Sequence, residues 1–164
     1  MGTKAQDENH KRLIKHLDES QSAVDYAKKY LESLGYEVRD KPETKKTPSY
    51  EERMKYVDDG DLYYYKDGDW RRVEVKHVSA DFESAEDWPY KMFFVMAKHA
   101  WDKANPKPDV LLTFSKSMRH VASVMGDSYD DWFPVSFKDR RYVNYRQTTY
   151  ATTVDSVKFS RVDV

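Results

Sequence analysis

The stretch Gly60-Asp61-Leu62-Tyr63-Tyr64-Tyr65-Lys66-Asp67-Gly68-Asp69-Trp70-Arg71-Arg72-Val73-Glu74-Val75-Lys76 decides how this chain reads. Asp67-Gly68 lies between two runs rich in aromatic and β-branched residues. That dipeptide is the strongest short-range hairpin signal, because both residues of its tight turn must tolerate positive φ. Residues 61–65 and 70–77 are then two antiparallel strands. Counting outward from a two-residue turn pairs Tyr65 with Trp70, Tyr63 with Arg72 and Asp61 with Glu74. Directly opposed residues have Cβ atoms roughly 4.5–5.5 Å apart on one sheet face. Lys76, two beyond Glu74, shares that face, while Leu62, Val73 and Val75 occupy the other and can enter a core. Valine on both sides of Glu74 specifies the register.

The pairing sets two carboxylates within reach of one ion, with an ammonium beside them. Opposed like charges destabilise a sheet, so Asp61 across from Glu74 needs a compensating cation. Lys76 supplies part of that, and a bound metal would supply the rest. Hard oxygen donors suit Mg²⁺ or Mn²⁺, and the chain has no cysteine to offer softer ligation. Such an ion can polarise a phosphoryl oxygen and lower the pKa of a bound water. Lys76 could position that water or stabilise charge on the phosphate. As a plain ion pair on an exposed strand, the same Glu-x-Lys triplet would carry no chemistry.

Working outward, Ala23, Ala27, Tyr30, Leu31 and Leu34 recur at helical spacing. Ser22 with Asp25 three residues on reads as a capping start, and Gly35 as the left-handed residue that closes the helix. Residues 36–39 follow as a short strand, and residues 40–56, broken by Pro42 and Pro48, as an inserted loop or helical turn. Beyond the hairpin, Asp87 and Pro89 open an expected helix carrying Tyr90, Phe93, Ala97, Ala100, Trp101 and Ala104 on one side, stopped by Asn105-Pro106. Residues 110–114 form a continuous apolar run, the pattern of an interior strand, with residues 120–125 as the strand after it. Past Gly126, Trp132, Phe133 and Val135 suggest packing, and residues 150–162 are strand-like by type. Residues 1–19, with Leu13, Ile14 and Leu17 as their large aliphatics, read as an arm or short helix.

At 164 residues, with 39% hydrophobic and 35% charged residues, the chain has the composition of one polar globular domain. No apolar run reaches the roughly 20 residues needed to span a bilayer, which argues against a membrane partner. The absence of cysteine excludes disulfides and fits a reducing cytoplasm. The formal net charge of -1 does not announce a nucleic-acid partner. Distribution says more: between Pro89 and Val124 there are six cations (Lys91, Lys98, Lys103, Lys107, Lys116 and Arg119) against Asp102 and Asp109. The 13 tyrosines offer either stacking faces for nucleic acid or ordinary half-buried strand positions.

Gly60-Asp61-Leu62, Asp67-Gly68 and Val73-Glu74-Val75-Lys76 together resemble the signature of the PD-(D/E)XK nuclease superfamily, the restriction-endonuclease-like fold. Tyr30-Leu31-Glu32-Ser33-Leu34-Gly35-Tyr36 is similar to the first helix and strand entry of its Holliday-junction-resolvase-like and DNA-repair branches. The resemblance covers residues 20–114, as a core of helix, three strands, helix and strand. It implies an α/β single domain at 20–164, with a mixed central β-sheet flanked by helices and a family-specific part from about residue 126. It further implies a metal-dependent phosphodiesterase acting on DNA in preference to RNA. Asp61 and Glu74 would be its metal ligands and Lys76 its catalytic lysine. The family's proline is Gly60 here. Its first-helix acid has Asp25 and Glu19 as the nearest matches; Asp25 is also read as a helix-capping acid.

The remaining candidates each have two readings. Asp59, facing Lys76 if the pairing continues, is either an extra metal ligand or the acid that holds the lysine. His77 points away from Glu74 and reads as structural, and Ser79 as a support of the strand exit. Lys91 and Lys98, seven apart on the expected helix, contact a phosphate backbone or simply line a solvated face. Arg140, Arg141, Tyr142, Tyr145 and Arg146 mix cations with rings, as nucleic acid would use or as an exposed loop would carry. A homodimer would let two sites cut both strands. The rivals are a catalytically inactive nuclease fold that binds nucleic acid or a protein, and an interaction protein whose hairpin acids form a surface ion-pair network.

Overall fold

The computed structural model describes Lys4, Glu8 and residues 23–40, 62–138 and 146–163. Helix α1 (residues 23–33) leads to strands β1 (Val38–Asp40), β2 (Leu62–Lys66) and β3 (Asp69–His77). A 3-10 turn (Ala85–Asp87) precedes β4 (Phe93–Ala97), a short helix α2 (Lys98–Lys103), β5 (Val110–Phe114) and β6 (His120–Met125). Strands β7 (Phe133–Lys138), β8 (Arg146–Thr152) and β9 (Lys158–Arg161) complete the order. The protein is α/β, with a mixed six-stranded sheet ordered β1-β2-β3-β5-β6-β9 and a three-stranded sheet ordered β4-β8-β7. Among the described strands, β3 and β5 pair in parallel and the other neighbours are antiparallel.

The hairpin forms as the turn chemistry requires. Asp67 and Gly68 have φ of 52° and 86°, and the register is Leu62↔Val73, Tyr63↔Arg72, Tyr64↔Arg71 and Tyr65↔Trp70. Helix α1 also ends where the sequence puts it. Gly35 sits at φ 92°, and its N–H donates to the Glu32 carbonyl at 2.9 Å. The Tyr36 N–H reaches back to the Leu31 carbonyl at 3.2 Å, completing the Schellman pair of bonds. The strand that follows begins at Val38, two residues later than its spacing suggested.

Each face of the large sheet is covered by a different layer. Ala23, Val24, Ala27 and Leu31 of α1 pack on Leu62, Val73, Val75, Leu112, Phe114 and Val121. On the other face, Leu111, Ala122 and Val124 meet an aromatic cluster from the second sheet and its connections, including Phe82, Trp88, Phe93, Trp101, Trp132 and Tyr150. All five residues of β5 are buried, as expected of a strand between two layers. Each fully buried large side chain contributes about 1.5–3 kcal/mol relative to its exposed state.

This second layer corrects the expectation of a long helix over residues 87–104. Phe93-Phe94-Val95-Met96 is a run of large side chains with no polar face, and it forms a strand paired with β8. A register shift between Phe94 and Met96 lets Val95 and Met96 both turn inward. Phe94 instead packs beside Phe137 of β7, ring centroids 5.5 Å apart. Only Lys98–Lys103 is helical, ending before Asn105-Pro106 as the sequence indicated. Asp87 does not open that helix. Its carboxylate accepts from the Glu83 and Ser84 N–H groups at 3.0 and 2.9 Å and closes the 3-10 turn. Residues 150–162 likewise resolve into parts of two strands in different sheets, joined by a 3-10 turn at Val154–Ser156. Among the described residues no helix is long and apolar enough to cross a membrane.

Candidate active site

Alternation along β3 separates two chemistries. Val73 and Val75 are buried under α1, whereas Glu74 and Lys76 are half-buried on the opposite face. In the parallel pairing Glu74 lies beside Leu111 and Lys76 beside Thr113, so β5 offers a buried, rigid flank to both. The start of that flank is clipped to β3. The Arg72 N–H donates to the Asp109 carboxylate at 2.8 Å, the Asp109 N–H returns to the Arg72 carbonyl at 2.9 Å, and the Arg72 guanidinium donates to the Pro106 carbonyl. Arg72 is only 5% exposed, so its charge is held inside this clip rather than presented to a ligand.

The carboxyl ends of β3 and β5 are tied together one loop further on. The Val78 N–H donates to the Phe114 carbonyl at 3.1 Å and the Lys116 N–H to the Ala80 carbonyl at 3.0 Å. Asp81 accepts from the Ser117 hydroxyl at 2.9 Å, and the hydrogen bonds from Ser117 hold its carboxyl below the usual carboxylate range. His77 is exposed, with its Nε2 3.2 Å from the Lys116 carbonyl. At this strand exit Asp81 and Ser117 pair across two loops, a contact that no local spacing announces.

Asp61 and Asp59 lie outside the described residues, as do Ser22, Gly60, Arg140, Arg141, Tyr142, Tyr145 and the loop of residues 41–56. Lys4 and Glu8 apart, so does the arm of residues 1–19. The last described pairs before Asp61 are Leu62↔Val73 and Tyr63↔Arg72, the register counted from the turn. Asp25 is exposed on α1, the layer that covers the face opposite Glu74. Among the described residues no three histidine, aspartate or glutamate side chains form a group that could hold a metal ion.

The cation candidates fall elsewhere. Lys91 lies in a bend before β4 and Lys98 at the start of α2, so the two do not form one helical stripe; the intervening strand separates them. Lys98 and Arg146, 48 positions apart, instead line one shallow groove of about 340 Å³ with His99, Asp102, Gln147 and Thr148. Within it Asp102 accepts from the Lys98 ammonium and, at 2.7 Å, from the Tyr150 hydroxyl. These bonds, Lys98 first, hold the Asp102 carboxyl below its usual range. Hydrogen bonds with Tyr129 and then Asp102 push the Tyr150 hydroxyl up to about 12. These bonds make the groove a polar brace between α2 and β8.

No protein-family model matches the sequence, and no curated protein or solved structure matches the chain.

Proposed function

We propose that this protein is a divalent-metal-dependent nuclease of the PD-(D/E)XK type that hydrolyses phosphodiester bonds in DNA. The observation that carries the reading is the β2–β3 hairpin. Its register is the one that pairs Asp61 with Glu74 by count, and Glu74 and Lys76 share a half-buried face backed by buried valines. The order of helix α1, strands β1 to β3 and a β5 parallel to β3 supports a restriction-endonuclease-like core. The connection between β3 and β5 departs from it, being mostly strand and turn with one short helix.

The donor set fits a hard cation. Glu74 and the expected Asp61 offer carboxylate oxygens, and the chain has no cysteine. Mg²⁺ or Mn²⁺ bound there would lower the pKa of a water and polarise the phosphoryl oxygen. Glu74 would hold its carboxylate in place through the flanking pairs with β5. Lys76 would orient the attacking water or stabilise the negative charge that develops on the phosphate. The experiment is cleavage of plasmid and single-stranded DNA with Mg²⁺, Mn²⁺ or EDTA. Metal-dependent cutting is expected; intact DNA under every condition would end the nuclease reading.

One observation favours a second reading, in which the fold binds nucleic acid or a protein without cutting. The first-helix acid Asp25 sits on the layer opposite Glu74, leaving the described part of the site short of that ligand. Thermal stabilisation by Mn²⁺ without cleavage would select it.

A further inference from the structure

The face of the sheet that carries Glu74 and Lys76 continues toward the hairpin tip as an ordered series of rows. Register places Tyr65 beside Trp70 in the row nearest the turn. Arg39, Tyr63 and Arg72 form the next row, followed by Glu74 and then Lys76. Successive rows are about 7 Å apart, from two residues at the strand rise, so the aromatic row stands about 13 Å from Glu74. The second sheet covers β5 and β6 on this face, yet Tyr65 is 43% exposed and Arg39 is exposed on the edge strand. The rings are already organised: Tyr65 meets Trp70 edge to face at 5.4 Å, and the Arg39 guanidinium lies 4.4 Å from the Trp70 ring centroid.

We propose that the Tyr65–Trp70–Arg39 surface is a stacking platform for single-stranded nucleic acid, which it feeds along β3 toward Glu74 and Lys76. The proposal rests on the nuclease reading and names its substrate class. Two features favour this occupant. An exposed ring offers a stacking face that tolerates any base, but bases inside a duplex are stacked on one another and cannot reach it. Arg39 adds a cation within reach of the phosphate next to a stacked base.

The test measures binding of a fluorescein-labelled oligothymidylate by fluorescence anisotropy in EDTA, where no metal-dependent cutting can occur, alongside a duplex of the same length. Wild type should bind the single strand more tightly than the duplex. Tyr65→Ala should weaken single-strand binding roughly ten-fold, the loss expected for one stacked base, and Tyr65→Phe should restore it. Arg39→Gln should weaken it and reduce its salt dependence. Because Tyr65 and Arg39 are exposed, these variants should keep the wild-type circular dichroism and melting curve. Equal single-strand affinity in Tyr65→Ala and wild type, or tighter binding of the duplex, would overturn the platform. Failure of DNA cleavage with this binding pattern intact would instead remove the nuclease reading and leave the platform standing.

Discussion

The two faces of β3 are built for different tasks. Toward α1 the strand presents Val73 and Val75 to an aliphatic cluster completed by Leu62, Leu112 and Phe114. Toward the second sheet it presents Trp70, Arg72, Glu74 and Lys76, and the aromatic layer that covers β5 and β6 leaves the hairpin side of that face open at Tyr65. The first face is a core whose tolerance is set by packing. The second is a step at which half-buried charges are held by a rigid neighbour strand. A charged residue at such a step costs more than one on an open surface.

This contrast makes separate demands on substitutions. Phe114 is fully buried on the α1 side, with Tyr26 and Tyr30 edge-on to its ring at 5.7 and 6.2 Å. Phe114→Ala should lower unfolding stability by about 3–5 kcal/mol in urea melts, the largest effect expected here. Glu74→Gln on the other face should leave stability within about 1 kcal/mol of wild type. It should cut single-turnover cleavage on the order of 100-fold or more, as expected when a preorganised charge is lost from a phosphoryl-transfer site. A variant that unfolds and one that folds but does not cut would together sharpen the distinction. If Glu74→Gln instead matched Phe114→Ala in stability, the two faces would not differ in kind.

Smaller effects probe the devices that seat each layer. Gly35→Ala at φ 92° should cost about 1–2 kcal/mol in the same melts, because a Cβ is disfavoured in left-handed backbone, and the loss should loosen α1. On the other side, the Ser84 and Glu83 N–H groups hold the Asp87 carboxyl below its usual range. A carboxylate depressed in the folded state contributes stability above its unfolded pKa and loses it as pH falls through the folded value. Asp87→Asn should therefore be slightly less stable than wild type at neutral pH. The gap should close in melts taken below the ordinary carboxylate range, and a gap independent of pH would assign the effect to something other than charge.

Legibility in the sequence followed the range of the interactions. The hairpin register was readable because Asp67-Gly68 fixes it locally, and α1 because its apolar spacing and Gly35 mark both its buried side and its end. The β5 run Val110-Leu111-Leu112-Thr113-Phe114 announced a strand buried on both faces. The second sheet was not readable. Phe93, Ala97, Ala100, Trp101 and Ala104 fit a helical period, and over residues 93–97 what overrides it is pairing with Thr149 to Thr152, more than fifty residues away. The same misreading placed Lys91 and Lys98 together, while the groove shared by Lys98 and Arg146 depends on the β4–β8 pairing that brought them near. Of the candidate site, Glu74 and Lys76 occupy the positions their alternation required; Asp61 and Asp59 lie outside the described residues.

The most direct test of the account is single-turnover cleavage of single-stranded DNA by wild type and Lys76→Ala in Mg²⁺, with EDTA as the control. Wild type should cut only with the metal, and Lys76→Ala should lose on the order of 100- to 1000-fold in rate while melting like the wild type. Equal rates in the two proteins, or cutting that persists in EDTA, would contradict it.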